Sequence, residues 1–220
     1  MKRQIITTSD GSTTIHLPDW NEQYHSKHGA IQEAYHVFIK HGLDFLSEKR
    51  ISILEIGFGT GLNAFITFLE AQKKQLTINY IGVEAYPVDE KEIEQLNYVN
   101  QLNATKHQSV FENMHAVSWE NLHTINDHFS LTKRKQFFSE IDDVEAYHLI
   151  YFDAFGARVQ PELWTESIFE IMHKALKKDG VLVTYSAKGS VRRALQNVGF
   201  SVERLHGPPG KREMLRAVKI

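Results

Sequence analysis

An α/β fold built on a mostly parallel sheet is predicted by two features of this 220-residue chain. Short apolar runs alternate with amphipathic ones, and glycine-rich or acidic residues follow several of the apolar runs directly. Alternation of this kind is typical of parallel strands joined by right-handed crossover helices. The last two apolar runs are separated only by the turn-rich "GPPGKR", which predicts a C-terminal antiparallel hairpin.

Each element follows from local periodicity. Buried strands are predicted where four short apolar runs end in glycine or polar clusters, at 51–56, 78–83, 149–153 and 181–186. Amphipathic helices are predicted between and after them, at 60–74, 88–101, 165–177 and 190–198. Residues 108–144 are harder to assign, because "HFSLTKRKQFFSEI" within them could form one strand or two short ones.

The composition is that of a globular protein, with 42% hydrophobic, 24% charged and 11% aromatic residues. We expect a single domain over 1–220, because this length supports one sizeable core. No long apolar segment and no signal-like N-terminus is present, so the protein is expected in the cytoplasm. The absence of cysteine excludes disulfides, thiolate nucleophiles and cysteine-ligated zinc.

The stretch "ILEIGFGTGLN" is the main ligand-binding candidate. A dinucleotide fingerprint fails because Leu62 stands where the third glycine is needed, and the phosphate-loop pattern GxxxxGK[ST] is missing. What remains is a strand, Glu55, and glycines at alternate positions opening into a helix. Such a turn lets backbone N–H groups approach a ligand, although it also occurs for packing alone.

The second predicted strand ends in Glu84, 23 residues after Gly61. A carboxylate there can accept the two ribose hydroxyls of an adenosine. The glycine-rich loop, its distance from Glu84 and the carboxylate itself together indicate an adenosine cofactor without a pyrophosphate, and S-adenosylmethionine fits this description. The alternative is that Glu84 is a surface residue beside a turn that is glycine-rich only for packing. The candidate cofactor-binding residues in this region are Glu55, Gly57, Phe58, Gly59, Thr60, Gly61, Asn63 and Glu84.

Asp153 ends the strand in "LIYFDAF" and is the candidate catalytic residue. The carboxyl ends of strands in an open α/β sheet face the ligand, although an aspartate there can also cap a turn. Phe155 and Trp164 follow as candidate substrate contacts. Trp164 could stack on a planar substrate or could equally belong to the core.

These residues carry a resemblance to the MnmC-like methyltransferases, which finish 5-methylaminomethyl(-2-thio)uridine at the tRNA wobble position. The matching blocks are "YHSKHGAIQEAYHVFI", "EIGFGTGLN", "YFDAFGARVQPELWT", "LVTYSAKGSVRRALQNVGF" and "GPPGKREML". The resemblance implies the class I (Rossmann-like) sheet of seven strands, S-adenosylmethionine as cofactor, tRNA as partner, and Asp153 as the residue most tied to activity.

The resemblance also implies an arrangement of the chain. Residues 1–46 would form an N-terminal extension with a cofactor-covering helix over "YHSKHGAIQEAYHVF", placing Tyr24 near the methionine end, and 51–220 would form the core. The length fits the stand-alone, MnmD-like form without the flavin-dependent oxidoreductase of some members. Where many relatives carry a proline after "DAFA", this chain has "DAFGARVQ", so the conformation of that loop is not predicted.

The expected chemistry is methylation of an amine. Methylation of a pyrimidine ring carbon by way of a cysteine adduct is excluded because there is no cysteine. An amine attacks the methyl group of a sulfonium directly, so alignment is the main requirement. An unperturbed aspartate has a pKa near 4. Asp153 is therefore predicted to accept an amine N–H and to stabilise the ammonium product, not to act as a strong base.

The net charge is −2, but residues 186–220 carry eight basic side chains against two acidic ones. This surplus predicts a face for anticodon-loop phosphates, and the alternative is an ordinary solvated surface. The candidate tRNA contacts are Lys188, Arg192, Arg193, Lys211 and Arg212. No metal is expected, because only His25 and His28 show a suggestive spacing.

The sequence is compatible with two alternative functions. A small-molecule amine methyl- or aminopropyltransferase on the same fold would use Glu84 and Asp153 but leave the basic C-terminal region without a role. A non-catalytic RNA-binding module would not need the intact glycine-rich loop.

Overall fold

The computed structural model describes residues 2–220, which form a small N-terminal sheet and a large sheet flanked by helices. The N-terminal strands are β1 (Gln4–Thr7), β2 (Thr13–Leu17) and β3 (Glu22–Gln23). The large sheet contains β4 (Arg50–Ile56), β5 (Thr77–Val83), β6 (Leu122–Asn126), β7 (Phe129–Arg134), β8 (Tyr147–Phe152), β9 (Leu176–Thr184), β10 (Phe200–His206) and β11 (Glu213–Lys219).

Seven α-helices accompany these strands in the described part of the chain, residues 2–220. They are α1 (Ala30–Ala34), α2 (Leu62–Lys74), α3 (Glu90–Ile93), α4 (Tyr98–Gln101), α5 (Gln108–Ala116), α6 (Glu166–Ala175) and α7 (Gly189–Asn197). Helix α1 continues directly into a wider π-helical segment, Tyr35–Lys40. No helix among residues 2–220 has the length and apolar character needed to cross a bilayer.

The strand order in the large sheet is β10-β11-β9-β8-β4-β5-β7-β6. Strands β7, β5, β4, β8 and β9 run parallel, whereas β11 pairs antiparallel with β9 and with β10. The predicted class I α/β fold and the C-terminal hairpin are therefore confirmed. Within residues 2–220 the large sheet has eight strands, one more than predicted, because the edge strand β6 pairs antiparallel with β7. The stretch "HFSLTKRKQFFSEI" itself forms one strand, β7.

The helix predicted over 88–101 is wrong as a single element. It is divided into α3, which starts with a capping box between Asp89 and Glu92, and α4. Between them, the Asn97 side chain accepts the Thr13 N–H at 2.8 Å and donates to the Gly11 carbonyl at 2.9 Å. These contacts with the N-terminal sheet hold Asn97 outside helical geometry, so a tertiary interaction overrides the local periodicity.

The covering helix predicted over "YHSKHGAIQEAYHVF" begins later than expected. Tyr24 to Gly29 are not helical, and α1 starts at Ala30 after Gly29, whose φ is 145°. The three strands that precede it were not predicted. Because they contain only two to five residues and pair only with one another, their local pattern is weak.

The core lies on both faces of the large sheet. One face packs β4, β5 and β8 against α2 and the segment after α1, and the other packs the same sheet against α6 and α7. Parallel strands covered on both sides are mostly apolar, as the central residues of β4 and β8 are apart from Glu55. This burial leaves only the strand ends and the loops after them available for polar chemistry.

Candidate active site

The glycine-rich loop and Asp153 meet where two parallel strands end. Strands β4 and β8 pair up to Ile56 and Phe152, and the Asp153 N–H donates to the Ile56 carbonyl at 3.0 Å. A Cβ on Gly57 would lie 2.8 Å from the Asp153 carbonyl oxygen. The φ of Gly57 is 89°, so this close approach needs glycine for both space and conformation.

Helix α2 starts directly from this loop. Gly61 is its N-cap, with a φ of 70°, and the Phe65 N–H donates to the Gly61 carbonyl at 3.0 Å. A Cβ at Gly61 would lie 3.0 Å from the His115 ring. The loop is thus clamped between the sheet and α5, with the amino end of α2 directed at the carboxyl edge of the sheet.

Glu84 follows β5 and faces the same loop. Its Oε2 accepts the Gly59 N–H at 3.1 Å, and its Oε1 accepts the Tyr86 N–H at 2.9 Å. Each carboxylate oxygen retains acceptor capacity beyond one backbone donor. Glu84 is therefore held in place by the backbone and is still able to accept hydroxyl groups.

Asn63 joins two carboxyl groups beneath the loop. Its Nδ2 donates to Glu55 Oε1 at 2.9 Å and to Asp153 Oδ2 at 2.8 Å. Glu55 is only 1% exposed, and neither Glu55 Oε2 nor Asn63 Oδ1, both buried, has a hydrogen-bond partner within residues 2–220. The amide of Asn63 thus fixes the position of Asp153 from the side opposite to solvent.

Burial changes the acidity of both carboxyl groups. Desolvation, with the nearby Glu33 as a second cause, raises the pKa of Asp153 to about 7 although the Asn63 amide opposes the shift. Desolvation also raises the pKa of Glu55 well above its ordinary value, with Asp153 adding to the effect. The sequence-based assumption of an unperturbed Asp153 is therefore wrong, because a carboxylate loses hydration in this site.

A cavity of about 260 Å³ opens in front of Asp153. The N-terminal segment forms one wall, the Asp153 loop another, and the C-terminal hairpin turn the third. The lining of the cavity includes Glu22, Tyr24, His25, Glu33, Asp153, Phe155, Tyr185 and Lys211. Acidic and aromatic groups thus surround the candidate catalytic residue.

Two lysines of the described residues line this cavity, the exposed Lys27 and the partly buried Lys211, which is ion-paired. Lys211 Nζ forms an ion pair with Glu33 and lies 3.8 Å from the centroid of the Tyr185 ring. The Glu33 side chain is 9% exposed, and its second oxygen accepts the Ser26 N–H at 2.9 Å. The Tyr185 hydroxyl donates to the Ala154 carbonyl at 2.8 Å. The carboxylate and the ring are both fixed by the backbone.

The N-terminal segment covers the glycine-rich loop. The Tyr24 ring contacts Phe155 edge-on at 5.0 Å and lies close to Gly59. His25 Nδ1 lies 3.1 Å from the Thr14 hydroxyl, and burial lowers the pKa of His25 to about 4. Tyr24 thus lies against the glycine-rich loop, in a non-helical segment and not in the predicted covering helix.

Arg158 gives the loop after Asp153 a defined position. Its guanidinium donates to the Trp20 and Asn21 carbonyls, each at 2.9 Å, and pairs with Glu22 at 3.2 Å. The departure from the proline-containing pattern of many relatives is therefore accommodated by a contact with the N-terminal segment. No group of three or more potential metal ligands occurs within residues 2–220.

Comparison with known proteins identifies the family. Residues 95–220 match the model of a family described as S-adenosyl-L-methionine-dependent methyltransferase. More than half of the chain is matched. The chain belongs to this family. S-adenosyl-L-methionine is accordingly the cofactor of the protein, as the loop and Glu84 predicted from the sequence.

Curated relatives match the methyltransferase over nearly its whole length. The tRNA 5-methylaminomethyl-2-thiouridine biosynthesis bifunctional proteins MnmC of Marinomonas sp. (strain MWYL1) and Hydrogenovibrio crunogenus are 28% and 27% identical over 90% and 97% of this chain. The chain covers 31% and 33% of those proteins, about a third of their length. The resemblance to MnmC-like methyltransferases stated from the sequence is confirmed.

Solved structures share the fold of the methyltransferase. MNMC2 from Aquifex aeolicus aligns with a TM-score of 0.76 at 24% identity, over 98% of this chain and 70% of that one. Spermidine synthase from Thermotoga maritima aligns with a TM-score of 0.55 at 16% identity, over 99% and 73% of the two chains. At these identities the likeness concerns the fold alone.

Two of the predicted site residues lie in the core of the methyltransferase. Phe58 is 3% exposed and packs on Gly82, so its side chain faces away from the cavity and only its backbone lines the loop. Trp164 is 5% exposed, packs against Phe152, and donates to the Phe155 carbonyl at 2.7 Å. The prediction that Trp164 stacks on a substrate is wrong, because the indole supports the Asp153 loop from behind.

The structure divides the predicted basic residues into two groups. Lys188, Arg193 and Arg212 are exposed at the carboxyl edge of the sheet, and Arg192 is half-buried on α7 with its Nε buried and without a partner in the described chain. Lys211 differs, because it points into the cavity.

The side chain of Thr60, a predicted cofactor-binding residue, is not placed to contact a ligand directly. It is 1% exposed, and its hydroxyl accepts a hydrogen bond from the Tyr98 hydroxyl at 3.1 Å.

Sequence reasoning missed Glu33 and Tyr185. Tyr185 directly follows β9 at the carboxyl edge, so the rule that selected Asp153 could also have selected it. Glu33 lies on α1 and offers no local signal, since only the packing of that helix brings it to the cavity.

Proposed function

We propose that this protein methylates the 5-aminomethyl group of (2-thio)uridine at the tRNA wobble position, giving 5-methylaminomethyl(-2-thio)uridine. The observation that carries the proposal is Asp153, a carboxyl group with a pKa of about 7 facing an acidic, aromatic cavity beside the glycine-rich loop. Such a cavity suits a substrate that arrives as an ammonium ion and must lose a proton. The MnmC relatives, by their names, act in the biosynthesis of this nucleoside.

The residues around the loop fit the cofactor. We assign the ribose to Glu84, whose oxygens are oriented by two backbone N–H groups. Glu55, buried behind Asn63, becomes a positioning residue that holds the amide and does not touch the cofactor directly. When bound, S-adenosyl-L-methionine supplies an electrophilic methyl group on a sulfonium. The chain itself must then provide alignment and proton transfer.

Burial makes Asp153 a useful base. An alkylammonium with a pKa near 10 would lose its proton to a carboxylate of pKa near 4 at a cost of about 8 kcal/mol. With the pKa of Asp153 at about 7, the same transfer costs about 4 kcal/mol. Alignment adds a larger effect, because holding two reacting groups in line removes about 7 to 11 kcal/mol from a bimolecular barrier. Asn63 contributes by fixing Asp153.

The basic residues at the same edge support an RNA substrate. Lys188 precedes α7, a nine-residue helix, and Arg192 and Arg193 lie in that helix. A helix amino terminus flanked by cations favours phosphate. We assign Lys188, Arg193 and Arg212 to anticodon-loop phosphates, together with Arg192. A tRNA substrate places the reaction in the cytoplasm.

Methyl transfer from labelled S-adenosyl-L-methionine tests the proposal. We expect label in tRNA that carries 5-aminomethyl(-2-thio)uridine, and none in the same tRNA lacking the aminomethyl group. Nuclease digestion should release the label as 5-methylaminomethyl(-2-thio)uridine. Transfer to polyamines in place of tRNA would instead assign a small-molecule amine transferase. Binding of tRNA without any transfer would assign a non-catalytic module.

A further inference from the structure

Lys211 occupies a position that differs from the rest of the basic C-terminal region. Its ammonium lies in the Asp153 cavity, paired with Glu33 and 3.8 Å from the Tyr185 ring centroid. A buried carboxylate beside an aromatic face is the combination that binds an alkylammonium ion. Lys211 is itself such an ion, held in the cavity where an amine substrate would bind.

Glu33 and Tyr185 are held more firmly in this contact than Lys211 is. Glu33 accepts a backbone N–H from Ser26, and Tyr185 donates to a backbone carbonyl. Lys211 has a four-carbon stem, is 31% exposed, and lies on the turn between β10 and β11 beside Gly210. The carboxylate and the ring are therefore the preformed subsite, and the lysine ammonium is the group able to leave it.

We propose that Glu33 and Tyr185 form an ammonium-binding subsite, that Lys211 fills it in the free enzyme, and that the substrate's own ammonium displaces Lys211. The inference rests on the proposed function in taking a substrate amine as the incoming cation. One ammonium replaces another, so the charge of the cavity does not change on exchange. A substrate without an amine cannot displace Lys211, which makes the lysine a selectivity device.

The exchange also gives Lys211 a second position. Its neighbour Arg212 is exposed at the same edge of the sheet. Once displaced, the Lys211 ammonium can reach the phosphates of the nucleotide whose amine took its place. Binding of the amine and binding of the backbone would then be coupled through one side chain.

Affinities for nucleosides without phosphate isolate the exchange step. We compare 5-aminomethyluridine with 5-methyluridine by titration calorimetry or NMR, with S-adenosylhomocysteine present. If Lys211 fills the subsite 80 to 90% of the time, Lys211→Met should bind 5-aminomethyluridine about five- to tenfold more tightly. Its affinity for 5-methyluridine should not change. Equal or weaker binding of 5-aminomethyluridine by Lys211→Met would overturn the proposal.

A second variant tests the subsite itself. Glu33→Gln keeps the size of the side chain and removes the charge, so it should weaken 5-aminomethyluridine binding in the Lys211→Met background. In the wild-type background the loss should be smaller, because the same substitution also weakens the competing contact of Lys211. An unchanged affinity in the Lys211→Met background would remove Glu33 from the subsite. Thermal unfolding of each variant shows whether the fold is retained.

Chemical labelling of lysines gives a direct readout. An amine-acylating reagent followed by mass spectrometry should raise the labelling of Lys211 relative to Lys74 when 5-aminomethyluridine is added, and this ratio should not respond to 5-methyluridine. Lys74 is the matched internal control, because it is ion-paired with Asp44 and Glu70 outside the cavity, and the ratio cancels the reagent that the ligand's own amine consumes. A ratio of Lys211 to Lys74 labelling that stays constant or falls at saturating 5-aminomethyluridine would contradict displacement.

A simple alkylammonium separates this inference from the proposed function. If Lys211→Met binds benzylammonium more tightly than the wild type while no tRNA is methylated, the exchange stands and the proposed RNA substrate fails. If the wild type methylates amine-bearing tRNA and Lys211→Met gains no affinity for either amine, the exchange alone is overturned.

Discussion

Glu55 and Asp153 are hydrogen-bonded to the same amide, but they differ in their exposure to the cavity. Asn63 donates to both Glu55 and Asp153. Glu55 is enclosed by the core, whereas Asp153 borders a cavity. Only Asp153 can therefore exchange a proton with a substrate, and its burial brings its pKa close to the working pH.

Removing the charge of Asp153 should abolish most of the turnover. Asp153→Asn keeps the shape of the side chain and can still accept the hydrogen bond from Asn63, but it cannot accept a proton. We therefore expect kcat to fall by about 10²- to 10⁴-fold. The dissociation constant for S-adenosyl-L-methionine should stay within a few-fold. Single-turnover methylation and equilibrium cofactor binding measure the two effects, and wild-type turnover in the variant would contradict the assignment.

Stability provides the control for that variant. The pKa of Asp153 is raised in the folded state, so its proton binding stabilises the fold fully below the unfolded pKa of about 4, and this contribution is lost as pH rises through about 7. Asp153→Asn never ionises. Its free energy of unfolding at pH 8 should therefore equal or exceed that of the wild type, which denaturant unfolding can show.

The pH profile distinguishes a base at Asp153 from capture of a neutral amine. If Asp153 takes the proton, kcat/KM should rise with pH up to about 7 and then stay level until the substrate ammonium titrates near 10. Capture of the small neutral fraction from solution predicts a tenfold rise per pH unit from 7 to 9. Initial rates with saturating cofactor across pH 5 to 9 decide between the two.

At the scale of elements, the site is an edge where loops from separate parts of the chain converge. The parallel pairing of β4, β5 and β8 brings the glycine-rich loop, Glu84 and Asp153 to one side of the sheet. Helix α1 and the turn between β10 and β11 add Glu33 and Lys211 from opposite ends of the sequence. The rigid sheet therefore positions the groups, and the loops supply the chemistry.

Gly61 shows how the loop depends on its backbone conformation. Gly61→Ala places a Cβ 3.0 Å from the His115 ring at a φ of 70°, so we expect a loss of about 1 to 3 kcal/mol in the free energy of unfolding. Cofactor affinity should fall with it, because Gly61 opens α2 beside the site. Denaturant unfolding and cofactor titration provide the measurements.

Gly189→Ala is the matched control for that substitution. Gly189 is the first residue of α7, and its added Cβ would meet only the flexible end of Arg193, at 3.2 Å. Alanine is favoured over glycine within a helix by up to about 1 kcal/mol, so this variant should be neutral or stabilising. Equal losses of unfolding free energy in Gly61→Ala and Gly189→Ala would show that the conformation of the glycine-rich loop does not cause the destabilisation.

At the scale of the whole molecule, charge is distributed unevenly along a chain whose net charge is only −2. The cations that lie exposed at the carboxyl edge of the sheet belong to α7 and the hairpin turn, next to the cavity. A polyanion bound there would place one nucleotide at Asp153. The proposed RNA substrate and the amine chemistry are thus compatible with one binding orientation.

Charge reversal tests that orientation. Arg192→Glu with Arg193→Glu should weaken tRNA binding about tenfold or more and flatten its salt dependence, since each lost phosphate contact lowers the slope by about 0.7 to 0.9. Cofactor affinity should not change. Filter binding at several salt concentrations gives both quantities.

The matched control lies on the other side of the sheet. Lys49 and Arg50 are both exposed where β4 begins, at the opposite edge from the cavity. Their reversal to Glu changes the net charge equally but should leave tRNA affinity nearly intact. The same loss in both double variants would mean that tRNA responds to overall charge and not to the α7 face.

Local patterns were sufficient for most of the large sheet and for bringing three parts of the candidate site to one edge of it. The strand of "ILEI", the glycines after it, Glu84 and Asp153 are all adjacent to buried strands, and parallel strands carry their following residues to a common edge. The same reasoning predicted the terminal hairpin, because "GPPGKR" cannot continue either strand. The absence of cysteine excluded thiolate chemistry from the outset.

Only the tertiary structure decided what depends on distant segments. The interruption at Asn97, the burial of Phe58 and Trp164, and the pairing of Lys211 with Glu33 all join residues far apart in the sequence. The pKa of Asp153 also depends on distant segments, because it reflects how completely the surrounding chain removes water from the carboxyl group. Sequence periodicity reports which face of an element is apolar, whereas desolvation and ion pairing depend on what packs against that face.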